Sequence, residues 1–368
     1  MAREAIGAVV EAVGGDVLVE PLVVDPPGPG EVSVRIAASG VCHSDLWARD
    51  NGNWGTPFPM LLGHEGAGIV EEVGEGVETP VVGDPVVLAW ATPCGACPPC
   101  RRGVPRRCMH VWEQPPRIRR ARDAAPLQGT LSLGTLATHT VVHAAQAVTM
   151  PSELSLRSAS LLGCGVSTGV GAAIQTAKVW PGARVAVIGL GGIGLAALQG
   201  ARIAGAEQLI AVDLVPEKLE WAKRFGATDV VDASAGDAVA AVRERAGGHG
   251  VDIAFEATGV PSVVGQAVAM LGYAGTAVAI GVPPIPAEVS LEWNGSEGAA
   301  YPKKASLLIT DGGDPIPSED FPRMARWALE GRLELDGMIS REIRLHELGE
   351  AFRAMLAGEV IRSVVVFD

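Results

Sequence analysis

The sequence predicts a two-domain α/β chain in which a doubly wound parallel sheet, residues 166–309, is inserted into a β-rich domain made of residues 1–165 and 310–368. Three observations carry this reading. Residues 1 to about 150 alternate apolar and polar positions between Pro-Gly turns, for example Val32, Val34 and Ile36 against Glu31, Ser33 and Arg35, the period of half-buried strands. From about residue 183 short apolar runs alternate with helical patterns, which is how a parallel sheet with crossover helices reads. Last, a helix with Leu348, Phe352 and Met355 on one face and Gly358 as its stop precedes a strand, Ser363–Phe367, that can return to the first domain's sheet.

Length and composition suit this division. The 368 residues exceed what a single core usually organises, and 48% hydrophobic and 19% charged residues with 47 glycines and 26 prolines fit a turn-rich globular protein. The apolar run Val185–Leu198 is broken by glycines and is shorter than the roughly 18 residues that span a bilayer, so no membrane segment is expected. Met1–Val10 lacks the basic patch and apolar core of an export signal, which points to the cytoplasm. A net charge of −13 repels phosphates, so nucleic acid is a poor partner and a small molecule a better one.

The six cysteines fall at 42, 94, 97, 100, 108 and 164. Disulfides are rare in a reducing compartment, whereas Cys94-x2-Cys97-x2-Cys100-x7-Cys108 supplies the four thiolates of a closed tetrahedral zinc shell, a structural site. Gly95, Pro98, Pro99, Gly103 and Pro105 make this segment an irregular lobe whose folding energy would come from the metal. The remaining two, Cys42 in Gly40-Val41-Cys42-His43-Ser44-Asp45 and Cys164 in Leu162-Gly163-Cys164-Gly165, join His64 of Gly63-His64-Glu65-Gly66 in a second set. Two cysteines and one histidine leave a fourth position for water or substrate, the pattern of a catalytic zinc. Four-cysteine lobes also occur in nucleic-acid-binding zinc ribbons, and a zinc-ribbon binding protein is the competing reading.

Arg184–Ile188 reads as a buried strand, and Gly189-Leu190-Gly191-Gly192-Ile193-Gly194 follows it directly and opens an apolar helix, Leu195–Ala204. This is G-x-G-x-x-G in strand-turn-helix context, the Rossmann fingerprint that places a pyrophosphate on a helix N-terminus. The next strand, Gln208–Asp213, ends in an acid where a ribose-binding carboxylate belongs, which favours NAD over NADP. Pro216 starts a helix, Glu217–Phe225, that puts Lys218 near the adenosine end, and strands are expected at Asp229–Val231, Asp252–Glu256 and Thr276–Ile280.

These pieces in this order resemble the zinc-containing medium-chain alcohol dehydrogenases over essentially the whole chain. The resemblance implies a GroES-like catalytic domain around the Rossmann domain, with the active site in the cleft between them, two zinc ions per subunit, NAD, and a homodimer. It implies Cys42, His64 and Cys164 on the catalytic zinc, Glu65 as an occasional ligand and Asp45 behind the zinc histidine. Cys94, Cys97, Cys100 and Cys108 match the structural zinc. Ser44 matches the hydroxyl that takes the alcohol proton and His43 a pyrophosphate contact. Thr168, Ile280 and Val282 match residues around the nicotinamide, and Arg362 a further pyrophosphate contact. The long connection from Cys108 to Val141 is similar to the branch that includes the thiol-dependent formaldehyde dehydrogenases. Leu161–Ala173, Ser318–Arg323 and Gly331–Arg344 are most similar to the mycothiol-dependent members.

The chain departs from the family at Trp47, where many members carry a proton-relaying histidine, and at Ser306–Asp314, whose Leu-Leu-Ile-Thr-Asp replaces a glycine-rich aromatic stretch. Trp47 and Trp54, with Trp90 at a pocket-wall position, suggest a narrowed apolar substrate site. Zinc would act there as a Lewis acid toward an alcohol or a thiol adduct of an aldehyde. Arg117, Arg119, Arg120 and Arg122 follow the lobe. Pro115, Pro116 and Pro126 make the segment read first as a solvated loop, and second as an entrance that attracts an anionic substrate.

Overall fold

In the computed structural model, which describes residues 2–52, 57–108, 115–296 and 298–367, the chain divides into two units: Met1–Cys164 with Ile316–Asp368, and Gly165–Pro315. The first unit holds two β structures. Arg3–Val10, Val17–Val24, Ile118–Arg120, Pro126–Gly129 and Met60–Leu61 close into a small barrel. A seven-stranded sheet is built around Glu31–Gly40, which pairs with Glu65–Val73, His139–His143 and Arg362–Val366.

That central strand departs from simple alternation. Glu31 and Ser33, expected on a wet face, are only 2% and 3% exposed, like the Val32, Val34 and Ile36 between them. A carboxylate can be buried when its charge is met. Glu31 accepts a hydrogen bond from the Gly28 amide at 2.6 Å and pairs with Arg117 at 2.7 Å.

The C-terminal segment returns as the amphipathic pattern requires. Helix Leu348–Leu356 buries Leu348 and Phe352 against Val10, Leu46, Met60 and Leu62. The following strand runs Arg362–Val366, one residue earlier than expected, with Val364 opposite Gly40 and Val365 opposite Ser39.

The arginine segment is not a solvated loop. Ile118–Arg120 is a barrel strand in register with Leu22–Val24, and this register lays the arginines beside acids near the start of the chain. Arg119 pairs with Asp25 at 2.6 Å, buried Arg120 with Glu20 at 2.9 Å and with Glu11, and Arg122 with Glu11. Charges committed in this way stabilise the barrel and leave the anionic-entrance reading without support. The double variant Arg119→Ala/Arg120→Ala should therefore lower the melting temperature by several degrees, an effect of about 1–3 kcal/mol from stranding the partly buried Glu20. KM should stay the same for charged and neutral substrates alike, which calorimetry and steady-state kinetics would check together.

The second unit is a six-stranded, wholly parallel sheet. In space its strands run Asp229–Asp232, Gln208–Asp213, Arg184–Ile188, Val251–Glu256, Leu271–Ala279 and Ser306–Ile309. The order reverses between Arg184–Ile188 and Val251–Glu256, and in open α/β sheets ligands bind outside the carboxyl ends of the strands at such a switch point. Ala186, Ile188, Ile210, Val212 and Ala254 form part of its core, which is why these strands read as unbroken apolar runs.

Local bounds differ modestly from expectation. The first helix starts at Gly192 rather than Leu195, because its glycines already take helical geometry, and the next runs Pro216–Arg224. The divergent stretch Ser306–Ile309 is the sheet's edge strand, with Leu307, Leu308 and Ile309 36%, 38% and 81% exposed. Among the described residues no helix is long and apolar enough to cross a membrane.

Candidate metal centres and cofactor loop

Three chain segments converge on the buried cluster Cys42, His64, Glu65 and Cys164. Cys42 ends the approach to helix His43–Asn51 and serves as its N-cap. His64 and Glu65 stand at the start of strand Glu65–Val73, where Glu65 pairs with Gly40. Cys164 closes the turn Ser160–Gly163. A Cβ on Gly40 would come within 2.0 Å of Glu65 Oε2, so a side chain there would have to displace that carboxylate.

One potential ligand atom from each of the four residues lies within 4.8 Å of the other three. Asp45 organises the cluster. Its Oδ1 lies 3.1 Å from His64 Nδ1 and accepts from the Gly63 amide at 3.0 Å, while Oδ2 accepts from the Cys42 amide at 3.2 Å. With Nδ1 held as donor to a carboxylate, Nε2 carries the lone pair. Nε2 is buried and has no hydrogen-bond partner of proper geometry among the described residues. A buried imidazole acceptor beside two thiols fits a divalent metal of zinc's ligand preferences.

The electrostatics of the cluster draw negative charge to Cys42 and a proton to His64, a proton that a bound cation would displace from Nε2. The Cys42 thiol is held well below its ordinary pKa, first by its hydrogen bond with Cys164 and then, against burial, by His64 and Arg362. Cys164 is correspondingly pushed well up by Cys42 and by burial. For His64, burial favours the neutral ring, but Asp45 and Cys42 outweigh it and raise the imidazole well above its usual range. Burial raises Glu65 to about 7 even though Arg362, 3.4 Å from its Oε1, opposes the shift. Arg362 is itself buried, with Nη1 3.4 Å from the Val41 carbonyl.

Around this cluster Ser44 is half-buried, its Oγ 3.7 Å from the Cys42 sulfur, and His43 is exposed. Trp47 is half-buried on the same helix. Trp90, also half-buried, packs on the sheet core with Val32, Val34 and Leu88. Trp54 lies outside the described residues.

Cys94, Cys97, Cys100 and Cys108 form a second cluster, half-exposed, with sulfurs within 4.8 Å of one another. Backbone amides point at the sulfurs: Ala96 and Cys97 donate to Cys94 Sγ at 3.4 and 3.3 Å, and Cys94 donates to Cys108 Sγ at 3.3 Å. The first two lower the Cys94 thiol, while burial and neighbouring thiols push Cys100 up to about 12. Four converging thiols with amide donors suit a tetrathiolate zinc. The lobe is tied to helix Pro317–Leu329 by Arg106, whose Nη1 is 2.5 Å from buried Asp320.

In the parallel-sheet unit Gly189 takes φ +90°, the left-handed turn that an L side chain disfavours, and a Cβ on Gly194 would meet the Gly189 carbonyl at 1.8 Å. At Gly191 a Cβ would project into open space at the N-terminus of helix Gly192–Ile203, the kind of cradle a pyrophosphate needs. Half-buried Ile193 follows Gly192 in that helix's first turn. Asp213 lies beside the loop, with Oδ2 accepting from Leu190 N at 2.7 Å and Oδ1 from Val215 N at 3.0 Å. Lys218 is half-buried on the helix that follows.

Thr168, buried, sits on helix Gly165–Gly171, which approaches the cofactor helix so closely that a Cβ on Gly169 would lie 2.3 Å from the Ile193 carbonyl. Ile280 is buried and Val282 is 62% exposed. Sequence reasoning missed Glu256. Its signal is an acid that ends a strand and is followed at once by Ala257-Thr258-Gly259.

Comparisons with known proteins converge on this reading. Residues 192–330 match the zinc-binding dehydrogenase family and residues 28–152 the alcohol dehydrogenase GroES-like domain. The chain is 37% identical to geraniol dehydrogenase of Castellaniella defragrans, over 99% of this chain and 98% of that protein. It is 34% identical to S-(hydroxymethyl)glutathione dehydrogenase of Escherichia coli, over 97% and 98%. A zinc-binding dehydrogenase from Sinorhizobium meliloti, solved with NADP bound, superposes with a TM-score of 0.81 at 27% identity over 99% of this chain and all of that one.

The chain therefore belongs to the zinc-dependent medium-chain alcohol dehydrogenases, enzymes that pair zinc with a nicotinamide cofactor. The zinc-ribbon alternative finds no support.

Proposed function

We propose that the enzyme transfers a hydride between an alcohol and NAD, using one zinc at Cys42, His64 and Cys164 and a second at Cys94, Cys97, Cys100 and Cys108. The observation that carries this reading is the buried convergence of two thiols and the His64 Nε2 lone pair. A zinc ion bound there supplies Lewis acidity that favours ionisation of an alcohol near neutral pH.

The protein's own groups do the rest. Asp45 fixes the tautomer of His64, and Glu65, neutralised in part by Arg362, is the occasional further ligand. Ser44 takes the hydroxyl proton, and because Trp47 cannot carry it onward, exposed His43 or solvent is the next acceptor. His43 and Arg362 also contact the pyrophosphate, Gly189, Gly191, Gly192, Ile193 and Gly194 cradle it, and Lys218 lies at the adenosine end. Thr168, Ile280 and Val282 flank the nicotinamide. Trp47 and Trp90 line the substrate pocket.

Asp213 supports NAD as the preferred cofactor, since a carboxylate repels a 2′-phosphate. Asp213→Gly should raise the NADP-to-NAD ratio of kcat/KM by about tenfold or more, ~1.4 kcal/mol. Asp213→Asn, which keeps an acceptor for the Leu190 amide, should move in the same direction. A parent enzyme that prefers NADP would contradict the assignment.

The exposed apolar edge strand Ser306–Ile309 supports a homodimer. Six reduced cysteines support the cytoplasm as its compartment.

A second substrate reading, a hemithioacetal-type adduct of formaldehyde with a low-molecular-weight thiol, is favoured by the 34% identity to S-(hydroxymethyl)glutathione dehydrogenase. The test is NADH absorbance across primary alcohols, aldehydes and formaldehyde with glutathione or mycothiol. Turnover of plain alcohols supports the first reading, and turnover only with a thiol present supports the second. Zinc-loaded protein inert toward the whole panel would refute both.

A further inference from the structure

At the switch point of the parallel sheet stands a buried carboxylate with no part in the chemistry above. Glu256 ends strand Val251–Glu256 and is 1% exposed. Its Oε1 accepts from the Thr258 amide at 2.6 Å, the Gly259 amide at 2.9 Å and the Thr258 hydroxyl. Its Oε2 is buried with no hydrogen-bond partner among the described residues. Its backbone carbonyl accepts from the Ile280 and Gly281 amides at 2.8 and 3.2 Å.

Glu256 thus ties its own turn to the Ile280–Gly281 segment at the carboxyl end of the neighbouring strand. The turn that Glu256 folds, Ala257–Gly259, donates from Ala257 N to the Ile188 carbonyl at 2.9 Å, immediately before the glycine turn. A Cβ on Gly189 would meet Thr258 Cγ2 at 2.6 Å, and one on Gly259 would meet the Val282 carbonyl at 2.4 Å. The glycine turn and the Ile280–Val282 segment both lean on the loop that the carboxylate shapes. A buried acceptor serving three donors cannot be removed without leaving those donors unmet.

We propose that Glu256 is a positioning residue for the nicotinamide cofactor. Its carboxylate sets the Ala257–Gly259 loop, and that loop sets the walls of the cofactor site on both sides of the switch point. The inference rests on the reading that the glycine turn holds the pyrophosphate and that Ile280 and Val282 flank the nicotinamide.

The test compares parent, Glu256→Gln and Glu256→Ala by NADH fluorescence titration, by amide hydrogen exchange of the cofactor-free protein, and by steady-state kinetics. Glu256→Ala should weaken NADH binding by about tenfold or more, ~1.4 kcal/mol. It should also raise KM for the cofactor more than it lowers kcat, and speed exchange across Thr258–Gly259 and Ile280–Val282. Glu256→Gln, which keeps an oxygen for the two amides, should stay within about threefold of the parent. Should the alanine variant fail to fold, Glu256→Asp, whose shorter arm withdraws the acceptor from the loop, replaces it with the same expected loss.

Parent-like NADH affinity in a folded alanine or aspartate variant would overturn the proposal while leaving the cofactor assignment intact. So would an equal loss of kcat and of affinity for every ligand. A parent that binds no NADH would overturn the cofactor reading and this proposal with it.

Discussion

Cys164→Ala should remove one zinc and lower turnover by more than about 100-fold, beyond the 10–100-fold that loss of a group behind a ligand typically costs. The reason is the composition of the buried cluster: without the Cys164 sulfur only Cys42, His64 and Glu65 remain, and Glu65 is already engaged by Arg362. Asp45→Asn provides the internal scale. It leaves the three ligands in place but weakens the hold on His64 Nδ1, so it should fall inside the 10–100-fold range. Elemental analysis and NADH-coupled kinetics on the two variants read both quantities. A Cys164→Ala protein with parent zinc content and parent turnover would place the catalytic metal elsewhere.

Cys97→Ser should cost stability in place of chemistry. The lobe from Cys94 to Cys108 has only the short helix Pro98–Arg101 and the 3-10 turn Pro105–Arg107, and Pro99 is the one buried residue in either. Metal binding therefore has to supply most of its folding energy, which for isolated structural zinc sites is on the order of 10 kcal/mol. The variant should lose one zinc and become sensitive to proteases within the lobe. It should melt lower by about 5 °C or more, since each kcal/mol moves a domain of this size by a few degrees. Calorimetry with elemental analysis would check it. An unchanged melting point with one zinc missing would show that the lobe folds without its metal.

The sequence made the metal sites legible because ligand chemistry narrows the choice of residue so far. Four thiols at short spacing and a Cys-His-Cys set admit few other readings, and the structure brings each set together. The glycine loop was legible for the same reason: Gly189 and Gly194 are dictated by a left-handed turn and a close approach, which depend on local geometry.

What escaped depends on partners distant in sequence. Arg119 and Arg120 read as loop residues because Asp25 and Glu20 lie about a hundred positions earlier, and only the barrel register brings them together. Glu31 read as outward-facing until Gly28 and Arg117 met its charge. Ser306–Ile309 read only as a departure from family pattern, since an edge strand with exposed leucines has no period of its own. Glu256 was passed over because a buried acid ending a strand is recognisable only by the amides it gathers.

The discontinuity of the first unit has a consequence for how the chain is made. The sheet strand Arg362–Val366 pairs with Glu31–Gly40, and Arg106 finds Asp320 at a separation of 214 residues. A ribosome extends the N-terminal part first, so the Cys42 and His64 neighbourhood must wait, with the Ala38–Gly40 end of its central strand lacking a partner on one edge, until all of Gly165–Pro315 and the closing segment have been synthesised. During that interval the nascent chain exposes thiols and an unpaired strand edge together. Scavenging of metal by half-made sites and edge-to-edge association are the hazards this topology creates, and zinc supply during translation would govern the yield of active enzyme more than its supply afterwards.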